Sequence, residues 1–469
     1  MGTFNDMDVR RMIEEAVAPL HKRIAELEAQ VARLKRNSSN SSKPPSSDIT
    51  NPPPAGGSGS GGSGGLGGSV KKRHIGGQKG HPKHVRPVFP PEQIDHTLAY
   101  ELSDPGNLVP LARWRRLQQM ELVDKPFRVT EHKARLYRNP ATGMVYAAPF
   151  PPEVSAAGLC GPRLSALIGY LKGGCRMSYR LIQDLLKDVM TIDLSAGQLA
   201  KVVQKTSKAL APAYEQLAAA LPAQAVLGVD ETGHYDRGKT LWTWCFRAQD
   251  FAVFKIDASR GSQVLLETLG ADYAGTLVCD FFSPYRKFQE LTHCIIQFCL
   301  AHLIRDVRFL ESLPDKPGTR FAKKLLKLIR KLFRKHHQRL ADPKKDFSGT
   351  LERLRKTILA IIARAPASIE AQNIRERFRN FKAEYFTFLK RPEVDPTNNF
   401  TERTLRFAVI DRKLTQGTRG TAGQTWCQRI WTTLATCRLQ KRSAFNFLAH
   451  TLANTFKHIG TLQLLPAGP

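Results

Sequence analysis

Acidic residues are few for a chain of this size. The 469 residues include 71 lysines and arginines but only 41 aspartates and glutamates, which gives a formal net charge of +30. An excess of positive charge of this size favours a polyanionic partner, and nucleic acid is the commonest one. A membrane surface is the weaker alternative.

The sequence also lacks the segments that would carry a chain into or across a membrane. No apolar run approaches the roughly 18 residues that a transmembrane helix requires. The first residues, MGTFNDMDVRRMIEE, have no apolar stretch like that of a signal peptide. We therefore expect a cytosolic protein with no membrane partner.

Cysteine is scarce, and its distribution argues against a disulfide framework. The eight cysteines lie mostly inside apolar or strand-like segments, where reduced thiols pack in a core. The chain length corresponds to roughly two to four domains. A hydrophobic content of 42% is enough to give these domains buried cores.

The N-terminal region predicts a coiled coil followed by a linker. Residues 8–36 carry apolar side chains at alternating spacings of four and three: Ile13, Val17, Leu20, Ile24, Leu27, Val31 and Leu34. We expect this seam to pair copies of the chain into a homo-oligomer, with a single amphipathic helix on its own core as the alternative. The composition of residues 37–70, rich in Asn, Ser, Pro and Gly, predicts a disordered linker.

Residues 71–159 begin with a basic arm and continue as short strands and turns. The arm KKRHIGGQKGHPKHVRP contains no acid, so it suits contacts with phosphates. A solvated basic tail is the alternative. The candidate phosphate contacts are Lys71, Lys72, Arg73 and Lys79.

Three helical pieces are predicted between residues 160 and 220. They are GPRLSALIGYLKGG, SYRLIQDLLKDVM and a helix capped near Ser195 that continues through AGQLAKVVQKTSKALAPAYEQLAAA. Two helices joined by a short turn and followed by a capped third resemble a helix-turn-helix DNA-binding unit. Any three-helix packing unit would give the same pattern, so both interpretations stay open.

From residue 225 the pattern becomes that of an α/β sheet. AVLGVD, LWTWCFRA and FAVFKIDA predict strands, GSQVLLETLG a helix, and GTLVCD and CIIQFCLA two further buried strands with a helix between them. The order of three strands, helix, strand, helix, strand is that of a ribonuclease-H-like α/β core.

Two of the predicted strands end in an aspartate, Asp230 and Asp280. Open α/β sheets keep their sites at the carboxyl ends of strands. Two like charges there are unfavourable unless cations lie between them, and Mg²⁺ prefers carboxylate oxygens. Glu231 is the rival of Asp230, but neighbouring residues of a strand point to opposite faces, and Asp230 follows the apolar run directly.

Glu402, in NNFTERTLR, is the candidate for a third carboxylate. Asn399 followed three residues later by Glu402 is also a capping-box signature, so Glu402 could serve as a helix cap, and the two roles are compatible. Asp395 and Glu393 are rivals in a proline-bracketed loop, which holds a ligand less firmly than a helix does. The same helix offers four candidate phosphate contacts: Arg403, Arg406, Arg412 and Lys413.

One helical stretch later in the chain is strongly basic. RFAKKLLKLIRKLFRKHHQR, residues 320 to 339, has nine lysines and arginines, no acid, and apolar residues on one side. We expect its charged face to follow a DNA backbone rather than a membrane, and its binding to weaken with salt.

Six motifs, in order, resemble the DDE transposases of the insertion sequence 66 family. They are NSSNSSKPPSSD, GGQKGHPKH, APFPPEVSAAGLCGPRLSALIGYLKGGCRMSYRLIQDLL, VLGVDETGH, VCDFFSPYRKF and NNFTERTLRFAVIDRK. The resemblance implies that Asp230, Asp280 and Glu402 are the catalytic carboxylates. It places the ribonuclease-H-like core at 221–302 and 391–440, a helical insertion at 303–390 and a helical tail at 441–469.

The function implied is that of a bacterial, nucleoid-associated transposase. Such an enzyme binds the double-stranded ends of its element, cuts a strand and joins the freed 3′-hydroxyl to target DNA. We expect two ions of Mg²⁺ or Mn²⁺, and the resemblance suggests accessory proteins of the same element. A nuclease without strand transfer and a non-enzymatic DNA-binding protein are the alternatives.

Zinc is not expected, although related proteins commonly carry a cysteine-based zinc segment after the basic arm. Residues 71–159 contain no cysteine, and four histidines near their start are irregularly spaced: His74, His81, His84 and His96. A second group lies in or beside an apolar strand, where a core role is favoured: His293, Cys294, Cys299 and His302. His302 also matches a family pattern near the active site.

Overall fold

The computed structural model describes residues 6–34, 88–100, 103, 116–123, 125–460 and 462–464. The predicted linker at 37–70 lies outside these residues. So does the basic arm at 71–87, with its candidate phosphate contacts and three of its histidines.

Helices outnumber strands in the described chain. The helices are α1 (Asp6–Leu34), α2 (Pro152–Ala157), α3 (Pro162–Gly173), α4 (Tyr179–Met190), α5 (Ala196–Ala209), α6 (Ala211–Ala219), α7 (Ser262–Leu269), α8 (Ser283–Leu291), α9 (Leu300–Glu311), α10 (Lys316–Ala341), α11 (Ser348–Ala363), α12 (Ile369–Phe381), α13 (Thr387–Lys390), α14 (Asn399–Thr415), α15 (Thr421–Leu439) and α16 (Ala444–Phe456). The strands are β1 (Leu136–Arg138), β2 (Val145–Ala147), β3 (Val226–Asp236), β4 (Lys239–Arg247), β5 (Ala252–Asp257), β6 (Thr276–Cys279) and β7 (Ile295–Phe298).

Five of these strands form a mixed sheet with the order β5-β4-β3-β6-β7. β3, β4 and β5 are antiparallel neighbours, whereas β6 and β7 run parallel to β3. The predicted order of three strands, helix, strand, helix, strand is confirmed. The chain is therefore mixed α/β with a helical majority.

The first strand of the sheet is longer than the sequence predicted. It continues past Asp230 to Asp236 and turns into β4 through Arg237 and Gly238, whose φ angles of 49° and 80° are those of a tight two-residue hairpin. β6 pairs with β3 only as far as Gly228. Asp230 is therefore in the middle of a strand, just beyond the point where its parallel neighbour ends.

Helix α14 packs closely on β3, and a glycine permits the contact. A Cβ atom added to Gly228 would overlap Thr401 Oγ1 and lie 3.1 Å from Asn398 Oδ1. Asn398 Nδ2 also donates to the carbonyl oxygen of Val229 at 2.8 Å. These contacts fix the start of α14, and with it Glu402, against the strand that carries Asp230.

The outer edge of β5 is covered by α15. The backbone N–H groups of β5 that face away from β4 donate to side chains spaced four residues apart on α15: Ile256 to Gln428, Phe254 to Thr432 and Ala252 to Thr436, at 3.0 to 3.2 Å. An uncovered edge would expose a row of unpaired backbone groups. The polar face of α15 thus completes the hydrogen bonding of the sheet.

The helical region at 160–220 forms as predicted up to its last helix. The cap at Ser195 is confirmed, because its side chain and that of Gln198 bond each other's backbone N–H groups. The prediction of one continuous third helix is wrong. Helix α5 ends at Ala209, and a separate helix, α6, begins at Ala211 with Pro212 in its first turn. From the C-terminal tail, α16 packs against α3 and joins this unit.

One stretch, Pro152–Gly173, is long and apolar enough by composition to cross a membrane, contrary to the sequence expectation. In the structure it is divided into α2 and α3, and α3 buries Ala166 and Ile168 in the core. These features are those of the core helix of a folded domain.

Helix α1 confirms the predicted N-terminal helix. Five side chains of the predicted seam are 44–73% exposed: Leu20, Ile24, Leu27, Val31 and Leu34. Near the end of α1, Arg33 Nε pairs with the buried Glu370 at 2.7 Å. Pairing of two copies through the seam stays a prediction.

We expect Gly228→Ala to lower the free energy of unfolding by about 1–3 kcal/mol, because the added methyl must push Thr401 and the start of α14 away. Gly349→Ala is the matched control, since nothing lies within 4 Å of an added Cβ at that helical position. Urea unfolding of both variants measures the difference. Equal stabilities would contradict the close contact of α14 with β3.

Candidate active site

Asp230 and Asp280 lie level with each other on neighbouring strands. The last paired residues of β3 and β6 are Gly228 and Val278, and each aspartate is two residues further along its chain. Both carboxylates are partly buried. Asp230 Oδ1 accepts the backbone N–H of Glu231 at 3.0 Å, and Asp280 Oδ1 accepts that of Phe282 at 3.1 Å.

The two aspartates share a strongly unfavourable electrostatic environment. Burial, and then the charges of Glu231, Asp280 and Glu402, raise the pKa of Asp230 well above its ordinary value. Burial and the charge of Glu231 raise the pKa of Asp280 to about 8, against an opposing effect of Arg260. A divalent cation between the carboxylates would remove this repulsion, and oxygen is the donor that Mg²⁺ prefers.

Glu402 lies in the first turn of α14 but does not cap it. Asn398 is the cap residue and makes no side-chain capping bond, so the predicted capping box with Asn399 is wrong. The helix begins one residue earlier than the signature requires, and the side chain of Asn398 turns to β3 instead. The Glu402 carboxylate is bound by Arg305 Nη2 at 3.2 and 3.3 Å.

The first turn of α9 holds the first turn of α14 in place. Cys299 Sγ accepts the backbone N–H of Asn398 at 3.1 Å, and the N–H of Leu300 donates to the carbonyl of Pro396 at 2.9 Å. His302 Nδ1 lies 3.6 Å from Glu402 Oε1. Glu402 is thus positioned from two sides, by β3 beneath it and by α9 beside it.

Cys299, His302 and Glu402 form a compact group of potential metal ligands. Their ligand atoms lie within 4.8 Å of one another, and among the described residues this is the one such group. It does not include Asp230 or Asp280. The charge of Glu402 raises the pKa values of the two aspartates, but the three carboxylates do not form one compact ligand group in this structure. Arg305 would have to leave Glu402 for the three carboxylates to hold an ion together.

The thiol and the imidazole of this group differ in their readiness to bind a metal ion. Burial and the charge of Glu402 raise the pKa of Cys299 to about 12, so its thiol stays protonated near neutral pH. Burial and the charge of Arg305 lower the pKa of His302 to about 4, which leaves a neutral imidazole, the form in which histidine binds a metal. His293 and Cys294 precede β7, whereas Cys299 and His302 follow it, so the four residues considered in the sequence do not meet.

The two rivals of Glu402 are placed less favourably. Asp395 Oδ1 accepts hydrogen bonds from the backbone N–H and the hydroxyl of Thr397, both at 2.7 Å, and so closes a local turn. Glu393 is exposed. Neither carboxylate contributes to the charge effects on the two aspartates.

The four candidate cations of α14 separate into two groups. Arg403, Arg406 and Lys413 are exposed. Arg412 is 8% exposed, and its Nη1 donates to Thr232 Oγ1 at 3.3 Å. It continues the buried face of the helix that begins at Thr401 and includes Leu405 and Ala408. Arg412 therefore does not present its guanidinium to a phosphate in this structure, contrary to the sequence expectation.

Sequence reasoning missed two charged residues beside the carboxylates, Arg305 and Arg260. Arg305 lies one helical turn after His302, a spacing that puts both on one face of α9 and could have suggested a shared partner. Arg260 precedes α7 in an ordinary loop sequence, and no signal in the sequence connects it with Glu231 or Asp280. Only the folded chain shows that Arg260 pairs with Glu231 and opposes the raised pKa of Asp280.

We expect the stability of the metal-free protein to fall as pH rises toward 8, partly through Asp280. Its folded pKa of about 8 exceeds its ordinary 3.8, so the folded state holds a proton that the unfolded chain has released. Between these two pKa values, Asp280 lowers the free energy of unfolding by at most about 1.4 kcal/mol per pH unit. Asp280→Asn should flatten this slope.

Urea unfolding in a chelator at pH 5, 6 and 7 measures this slope. Asp272→Asn, which removes an exposed carboxylate, is the control and should keep the native slope. Parallel curves for the native chain and Asp280→Asn would contradict the raised pKa.

Comparison with known proteins agrees with the resemblance in the sequence. Residues 6–87 match a family model described as "Family of unknown function (DUF6444)". No curated protein matches the chain. A model described as "Transposase IS66 family" matches residues 157–425, which is more than half of the chain and includes the whole sheet and α14. The chain therefore belongs to the IS66 family of transposases.

Proposed function

We propose that this protein is a DDE-type polynucleotidyl transferase of a bacterial insertion sequence. It binds the double-stranded ends of its element, cuts a strand and joins the freed 3′-hydroxyl to target DNA. The observation that supports this most directly is the placement of Asp230 and Asp280 level on adjacent parallel strands, with the charge of Glu402 acting on both.

The sheet supports a ribonuclease-H-like catalytic core. Its first three strands form an antiparallel meander, β5-β4-β3, and the two later strands add in parallel beside β3. This arrangement brings the middle of β3, at Asp230, beside the end of β6 at the site. The helices between β7 and α14 form the insertion in the core.

Asp230, Asp280 and Glu402 are suited to hold Mg²⁺ or Mn²⁺, and two ions would suit the proposed reaction. When bound, the ions would supply positive charge to the attacking and leaving oxygens at phosphorus. Asp280, whose pKa is raised to about 8, must lose its proton to become a ligand. Arg305 would have to release Glu402 for this, and its guanidinium would then be free to bind a DNA phosphate.

Cationic surfaces on two helices would hold the DNA. Arg403, Arg406 and Lys413 are exposed on α14 and suit phosphates close to the reacting bond. Helix α10 contains no acid and buries one face, including Phe321 and Leu325. Its exposed cations are Lys316, Arg320, Lys323, Lys324, Lys327, Lys331 and Arg334. They form a stripe that matches a DNA backbone.

Other parts of the chain complete the proposal. The basic arm, through Lys71, Lys72, Arg73 and Lys79, adds phosphate contacts, and the helical unit at 160–220 reads the element ends. Pairing through α1 joins copies of the chain. The protein acts in the bacterial cytoplasm on nucleoid DNA, with accessory proteins of the same element as possible partners.

We expect Glu402→Gln to abolish cleavage and joining of labelled element-end DNA in Mg²⁺ while the fold survives. Glutamine is an uncharged and therefore poorer ligand for Mg²⁺ than glutamate, and Glu402 makes no capping bond for the mutation to remove. Circular dichroism and DNA binding are the controls, and Glu393→Gln, at an exposed carboxylate, is the matched variant. Activity at the native rate would exclude Glu402 as a ligand.

The products distinguish the related functions. Cleavage without joined products would identify a nuclease of the same fold. DNA binding that needs none of the three carboxylates, with no cleavage by the native chain, would identify a non-enzymatic DNA-binding protein.

We expect neutralising three α10 lysines to reduce the salt dependence of DNA binding. The triple change Lys323→Gln, Lys327→Gln and Lys331→Gln removes up to three phosphate contacts, so the slope of log K against log salt should become shallower by up to about 2.7. Replacing the same lysines by arginine is the control, because the charge is kept. An unchanged slope in the glutamine variant would exclude α10 from the DNA interface.

A further inference from the structure

Glu231, the neighbour of Asp230 on β3, is a buried charge that the proposed chemistry does not use. It is 3% exposed. Arg260 donates to its Oε1 through Nε at 3.0 Å and Nη2 at 2.7 Å. The hydroxyl of Tyr285 on α8 donates to its Oε2. Both carboxylate oxygens of Glu231 are therefore hydrogen-bonded to other segments of the chain.

Arg260 connects this carboxylate to the loop that carries Asp280. Its guanidinium carbon lies 4.0 Å from the ring centre of Phe282 and 4.3 Å from that of Trp242. The backbone N–H of Phe282 is the group that donates to Asp280 Oδ1 at 3.1 Å. A continuous series of contacts thus leads from Glu231 through Arg260 and Phe282 to Asp280.

The placement of Glu231 is costly for stability. Burying a carboxylate and a guanidinium requires removing water from both. The charge of Glu231 also acts unfavourably on Asp280. An apolar residue at position 231 would fill the same space without either cost. The pair is therefore better explained by what it does to the neighbouring site than by the stability of the sheet.

We propose that Glu231 is a positioning residue for Asp280: with Tyr285 it fixes Arg260, and Arg260 clamps Phe282 so that its backbone holds the Asp280 carboxylate ready for a divalent cation. This inference rests on the proposed function in one respect, since it takes Asp280 as a metal ligand. Glu231 itself touches neither the ion nor the DNA.

Mn²⁺ binding to the full chain tests the proposal, because it can be measured without DNA. We expect Glu231→Gln to raise the Mn²⁺ concentration for half-maximal binding by about tenfold, the effect typical of residues that orient a ligand. Titration calorimetry gives the affinity. DNA cleavage by the variant should be restored by excess Mn²⁺, with its affinity for DNA unchanged.

Glu370→Gln is the matched control. Glu370 is also buried and pairs with an arginine at 2.7 Å, but it lies on α12 and bonds Arg33 of α1, away from the carboxylates. Both glutamine variants are expected to lose stability in urea, and only Glu231→Gln is expected to lose Mn²⁺ affinity. Loss of stability with native Mn²⁺ affinity in Glu231→Gln would overturn the proposal.

Two further variants keep the test decisive if Glu231→Gln does not fold. Tyr285→Phe removes only the hydroxyl contact, and Arg260→Lys keeps the charge but loses the planar group that stacks on Phe282. Both should weaken Mn²⁺ binding in the same direction. Native Mn²⁺ affinity in Arg260→Lys would overturn the connection through Phe282.

Asp280→Asn separates failure of this inference from failure of the proposed function. If the native chain binds Mn²⁺ and Asp280→Asn does not, Asp280 is a ligand, and native affinity in the Glu231 and Arg260 variants rejects only their positioning role. If the native chain and Asp280→Asn respond equally to Mn²⁺, the metal assignment fails and the positioning role fails with it.

Discussion

The close approach of α14 to β3 determines where Glu402 lies relative to the two aspartates of the sheet. Gly228 leaves room for Thr401, and the side chain of Asn398 ties the start of the helix to the backbone of the strand. Glu402 comes from a part of the chain more than a hundred residues after Asp280, beyond the helical insertion. Without this contact, nothing in the sheet would locate the third carboxylate relative to the first two.

Charge in this region is arranged at the expense of stability. Four acidic side chains, Asp230, Glu231, Asp280 and Glu402, lie near one another, and two arginines partly balance them. Arg305 holds Glu402 and Arg260 holds Glu231, while the aspartates have no such partner among the described residues. The remaining repulsion is what a divalent cation would relieve, so cation binding and folding should be coupled.

The sequence was sufficient for the order of the strands and helices of the sheet, because buried strands have a simple apolar pattern. The sequence was insufficient where contacts between distant segments determine the length of a strand or the direction of a side chain. The extension of β3 to Asp236 depends on a hairpin turn, and the turning of Asn398 toward Val229 depends on a strand far away in the chain. The burial of Arg412 follows from which face of α14 meets the sheet. The partners of Glu231 and Glu402 could not be read from the sequence, because they come from separate segments.

The sheet cannot be extended beyond β5. Gln428, Thr432 and Thr436 already bind the backbone N–H groups on its outer side, so another strand could pair there only if α15 were displaced. Subunits of a larger assembly would therefore not meet by exchanging or adding strands at this edge. Each subunit would then bring a sheet that is complete on that side, and its two aspartates would come from one and the same chain.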